Sequence, residues 1–120
     1  MVTVHMWVGT LVLIAYLALA IVNGLQVSGS RTIAWTRPLS MTAALLLLVQ
    51  YTLGFGLLGG DHSITALHYL IALAALIPVG IEHAVANTQD VPGNRARLAM
   101  FATAATTVLV LIAYAIAESR

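Results

Sequence analysis

Four long apolar stretches dominate this sequence, at about Val4–Leu25, Leu39–Leu58, Ile64–Ala86 and Leu98–Ala117. The only formally charged residue inside them is Glu82. A helix crosses the roughly 30 Å hydrocarbon core of a bilayer with about 20 residues, at about 1.5 Å of rise each. Each stretch is long enough. The expected fold is all-α: an integral membrane four-helix bundle, with residues 1–120 as a single transmembrane domain.

Composition supports that solvent. The chain has 120 residues, 61% hydrophobic and 8% charged, with mean hydropathy +0.99; soluble domains are nearer a quarter charged. There is no cysteine, which excludes disulfides, thiolate metal sites and cysteine-linked haem. There is no lysine, and the five arginines lie in the connections and at the C-terminus. Nucleic acid is not an expected partner. The N-terminal stretch has no basic region before it and is too long for a signal-peptide core, so it reads as the first span.

Three connections separate the spans. The first, Gln26–Pro38, holds Arg31 and Arg37 and ends in a proline suited to a helix's first turn. The second is Gly59-Gly60-Asp61-His62-Ser63, with Asp61 or Ser63 as a helix cap. The third, Asn87–Arg97, holds Arg95 and Arg97. Connections one and three share a side and carry four arginines; the other side has Arg120. Positive loops stay cytoplasmic. The expected location is a bacterial-type plasma membrane, with both termini and the Asp61-His62 turn outside.

Two spans open with the same signature. His5 is followed by Gly9, and His68 by Ala72. Arg37 before span two likewise parallels Arg97 before span four, which suggests two repeated helical hairpins. At about 100° per residue, His5, Val12, Tyr16 and Asn23 share one face of span one, with Gly9 beside it. His68, Ala75, Val79 and Ala86 form a similar stripe on span three, with Ala72 on its edge. Small residues below each histidine leave room for a porphyrin.

Polar groups within a membrane usually face the bundle interior. An even number of crossings separates His5 from His68, so both should sit at the outer face. Two neutral imidazoles facing each other suit a bis-histidine haem iron, as in a b-type electron carrier or a haem-processing site. Alone, either histidine would more often bond a headgroup or a carbonyl. His62, in the adjacent turn, is a substitute ligand or a contact for a haem propionate, or a solvated loop residue.

His68 with Ala72, and Gln50-Tyr51-Thr52-Leu53-Gly54 on span two, resemble the haem A synthase family, whose members carry histidines followed by small residues and a Gln-x-x-Leu-Gly-like stretch. The resemblance covers spans two and three. It implies a haem-binding four-helix unit, which that family duplicates. This chain has one unit, with histidines on spans one and three instead of two and four, and lacks the acidic and cysteine features of the family's catalytic loop. Haem A synthesis is therefore not implied. The chain also looks like the small four-helix b-type cytochromes of bacterial membranes, which commonly hold two haems and need four histidines.

Other polar groups have less specific roles. Gln50 lies within the membrane and must bond across helices or touch a haem edge. Gly54-Phe55-Gly56 allows close helix approach or a flat cofactor. Glu82-His83 lies near the cytoplasmic end, where Glu82 can pair with Arg31, Arg37, Arg95 or Arg97, or the pair can serve a quinone head group. Pro78 should kink span three. The Ala/Thr run Ala102–Thr107 reads as a packing face within the bundle or a homodimer.

The leading expectation is one haem b near the outer face. His5 and His68 are its iron ligands, with Gly9, Tyr16, Gln50, Gly54, Ala72 and His62 around it. Such a chain moves electrons to a redox partner and is more an electron carrier or cofactor-binding subunit than a stand-alone enzyme. One alternative is copper, held among Met1, His5, Met6, Asp61, His62 and His68. Another is a non-catalytic accessory subunit of a larger membrane complex.

Overall fold

The computed structural model describes residues 2–29, 33–57, 66–85 and 92–118, and all but a short stretch before α2 are helical or in a helical turn. The elements are α1 (Val2–Gly29), α2 (Thr36–Leu57), α3 (Ala66–Ala74), α4 (Leu76–Gly80), a π-helical segment (Ile81–Val85) and α5 (Pro92–Glu118). The described residues contain no strand. Four helical stretches are long and apolar enough to cross a membrane: Thr3–Gly29, Thr36–Leu57, Ala66–Ala84 and Asn94–Ala117. The sequence-based spans fall within two or three residues of these at most ends. The exceptions are the end of the first span, which runs on to Gly29, and the start of the fourth, which begins at Asn94, each four residues beyond the expected bound. Pro38 sits in the first turn of α2, where its missing N–H costs nothing.

The third span is not one regular α-helix. It breaks at Ala75, continues through Pro78, and widens into the π segment. Pro78 has no N–H to bond the carbonyl four residues back, and its ring crowds that turn. The regular pattern is therefore interrupted where the sequence places the kink, and the wider π turn follows directly.

Each helix buries a narrow stripe at alternating spacings of three and four. On α1 the stripe is Gly9, Val12, Tyr16, Leu19, Asn23 and Gln26; on α2 it is Ser40, Ala43 and Leu47. Ala75, Pro78 and Glu82 continue it on the third span, and Ala99, Ala102, Thr106 and Ala113 on α5. Such a stripe is what a helix presents when ridges of one helix fill grooves of the next. Val12, Tyr16, Leu19, Ala43 and Leu47 form its apolar centre.

Most large apolar side chains off the stripe face outward, including Trp7, Ile14, Leu45, Leu70, Ile77 and Phe101. Such a surface is what lipid solvates. Inside a bilayer that apolar surface does not drive helices together. Packing and interhelical hydrogen bonds must do so.

The hydrogen bonds form a ring. Gln50 joins α2 to α1, and Asn23 with Thr103 joins α1 to α5. His68 joins α3 to α5, while the Tyr51 hydroxyl donates to the Ala72 carbonyl across α2 and α3. Ser40 and Glu82 bridge α2 and the π segment. These bonds place α1 between α2 and α5, with the third span closing the ring opposite α1. Chain direction alternates, so His5, Gln50, His68 and Tyr114 gather at one end. Asn23, Ser40, Glu82 and Thr103 lie toward the other, which also bears Arg37, Arg95 and Arg97.

Candidate functional site

The end holding the two histidines is built by reciprocal accommodation between α1 and α2. His5 lies over Gly54: a Cβ there would stand 3.2 Å from the imidazole Cε1. Four residues along each helix the relation reverses. Gln50 lies over Gly9, where a Cβ would meet the amide nitrogen at 2.8 Å. The space beside both glycines is thus taken by the neighbouring helix's polar side chain. The two side chains meet, with Gln50 Nε2 3.3 Å from His5 Nε2. His5 Nδ1 and Gln50 Oε1 remain buried with no protein partner.

His68 is held differently. Its Nδ1 lies 2.8 Å from the backbone carbonyl of Ala113 on α5. A carbonyl only accepts, so Nδ1 carries the proton, and the ring is the neutral Nδ1–H tautomer or a cation. Tyr69 packs its ring edgewise on this imidazole, at 5.6 Å between centroids. His5 and His68 project from α1 and α3, which lie across the bundle from each other at the same end. Near them, the Thr10 and Tyr114 hydroxyls meet at 3.3 Å.

The predicted interior stripe of span one is observed. Val12, Tyr16 and Asn23 are buried below His5, and Ala75 is buried below His68. Ala72 lies beside that stripe, and its carbonyl receives the Tyr51 hydroxyl. Tyr16 is completely buried, and its hydroxyl has no partner. Met1, Asp61 and His62 lie outside the described residues. Among those described, no three His, Cys, Asp or Glu side chains converge as a metal cluster would need. Bis-histidine iron ligation needs only two.

At the opposite end Glu82 does not take an arginine as its hydrogen-bond partner. Its Oε2 accepts a 2.6 Å bond from Ser40, and Oε1 lies 3.4 Å from His83 Nε2. Arg37 lies one turn before Ser40 on α2. Ser40, unremarked in the sequence, is found by extending the α2 stripe backward from Gln50: residues 50, 47, 43 and 40 alternate three and four apart.

Asn23 belongs to a fully satisfied network. Its Nδ2 donates to Thr103 and its Oδ1 accepts from Gln26, whose Oε1 receives the Ile33 amide and the Thr36 hydroxyl. That network ties the first connection to α5. Thr103, Ala102 and Thr106 are buried inside the bundle, which accounts for much of the Ala/Thr run as an internal packing face. No protein-family model, curated protein or solved structure matches the chain.

Proposed function

We propose that this chain is a membrane haem b-binding protein, with His5 and His68 as the axial ligands of one haem. The observation that carries the reading is the hydrogen bond from His68 Nδ1–H to the Ala113 carbonyl. Metal-ligating histidines characteristically give their second ring N–H to a carbonyl or carboxylate, which fixes the tautomer and makes the other nitrogen more basic.

His5 complements it. Gln50 holds one ring nitrogen, and the other is buried without a protein partner. A half-turn of the Gln50 amide presents Oε1 to His5 Nε2–H instead. Nδ1 then becomes a bare electron-pair donor, and the amide nitrogen takes the position that Oε1 held. The two glycines let these polar groups approach without strain, and the lipid-facing leucines keep water out. A haem held here supplies one-electron chemistry.

By the arginine distribution, the histidine end faces outward from a bacterial-type plasma membrane, with both termini outside. The chain works with a redox partner or within a larger membrane complex.

The test is an absorption spectrum of protein purified after haem-replete expression, oxidised and then reduced. A Soret band with reducible α and β bands is expected. His68→Ala and His5→Ala should each abolish or strongly alter them. Colourless protein overturns the reading, and copper in metal analysis of that protein would replace haem with the metal.

A further inference from the structure

The bundle interior holds a second group of polar atoms that the histidine end does not use. Glu82 is 2% exposed, on the π segment below Pro78. One carboxylate oxygen is bonded to Ser40, and the other, Oε1, is buried with no hydrogen-bond partner. Tyr16, 0% exposed, offers a hydroxyl that is also unpartnered. Val79, one turn before Glu82, and Tyr51 both pack against the apolar cluster that contains Tyr16. His83 Nε2, again unpartnered, stands 3.4 Å from Glu82 Oε1, and its side chain is partly exposed.

An isolated carboxylate in hydrocarbon is too costly to keep, and ionisable residues within membrane helices mark proton and ion paths. Other buried polar atoms in this chain, those of Asn23 and Gln26, find partners. Near Glu82, by contrast, Oε1, the His83 Nε2 and the Tyr16 hydroxyl make no hydrogen bond, although Oε1 and Nε2 stand 3.4 Å apart. Three unpartnered atoms in one neighbourhood are what a few bound waters would satisfy. The π turn adds to the case: such single wide turns occur frequently at functional sites.

We infer that Glu82 is a proton-binding site, reached through His83 from the arginine-bearing end and continued inward by water to Tyr16. Proton uptake is a simple acid–base step: a hydronium ion at that end gives up one proton, Glu82 carboxylate becomes the neutral acid, and no electron moves. The groups around Glu82 are His83 on its own segment, Ser40 and Arg37 on α2, and Tyr16 on α1. On α5, which packs against the π segment, Arg95 and Arg97 stand at the same end. This inference does not depend on haem.

Infrared difference spectroscopy of the full chain in lipid nanodiscs tests it. Between about pH 4 and pH 9 a protonated-carboxyl C=O band should titrate, and it should shift in D2O because the acid is in contact with water. Glu82→Gln, which can still bond Ser40, should remove that band. Ser40→Ala should move it, by deleting the direct hydrogen bond. Tyr16→Phe should leave the band in place and alter its exchange with D2O. The inference is overturned if no band titrates, if the titrating band survives Glu82→Gln, or if it ignores both D2O and Ser40→Ala. If Glu82→Gln fails to fold, the Ser40→Ala shift decides alone.

Discussion

Replacing Gly9 with alanine tests the interlock of α1 and α2 directly. The new methyl would stand 2.8 Å from Gln50 Nε2, so the amide must retreat by about 0.6 Å to reach the 3.4 Å of ordinary contact. The amide is the end of a flexible side chain and can move, but only by leaving His5 Nε2, now 3.3 Å away. A hydrogen bond between membrane helices averages about 0.6 kcal/mol and reaches about 1.7 kcal/mol. Overpacking adds about 1–3 kcal/mol, at the low end where a side chain can yield. The expected loss is therefore about 1–2 kcal/mol. Reversible unfolding in mixed micelles measures it.

The stronger check is a double-mutant cycle. In a Gln50→Ala background there is no amide to displace and no bond to lose, so Gly9→Ala should cost less than about 0.5 kcal/mol. The coupling energy should then be about 1 kcal/mol, within the range found for residues in contact. Equal penalties in both backgrounds would refute the reasoning, because the glycine would then be needed for backbone approach alone.

Gly54→Ala should cost about 1 kcal/mol by pressing on His5, and His5→Ala should relieve it in the same assay. Asn23→Ala breaks the link from Gln26 to Thr103 and should cost about 1–2 kcal/mol, with faster amide exchange at Ile33. Leu19→Ala, at a fully buried position, should cost about 2–4 kcal/mol in unfolding, whereas Leu17→Ala, facing outward, should change stability by less than about 0.5 kcal/mol. The chain has no cysteine, so single substitutions report sidedness: Thr3→Cys should label with an impermeant reagent from outside intact cells, and Ser28→Cys only after lysis.

Much of the architecture is legible because lipid imposes simple rules. Span number follows from four apolar stretches, and the inward faces follow from helical periodicity. Val12, Tyr16 and Asn23 were placed on one face from spacing alone, and all three are buried. Polar residues mark that face, since water is not available on the other. Pro78 announced the irregularity of span three through its missing N–H. The π segment that follows was not visible, because no side chain signals a change of hydrogen-bond register.

Partnership was the less legible part. Gln50 was expected to bond across helices or touch a haem edge, and its position over Gly9 gives that glycine a reason that spacing could not reveal. Glu82 was expected to have an arginine available and instead bonds Ser40. The Ala113 carbonyl that holds His68 has no sequence signature, because every residue carries a carbonyl and helical ones normally bond their own helix.

By itself, the sequence determined that four helices are long and apolar enough to cross a membrane, which face of the first span turns inward, and that His5 and His68 share one end. These follow from length, period and the parity of crossings, all properties of single segments. Only the tertiary structure decided that His5 meets Gln50, that His68 leans on α5, and that Glu82 is buried among unpartnered atoms. Those outcomes depend on the rotation and axial shift of one helix against the next, which are set by packing across the whole bundle.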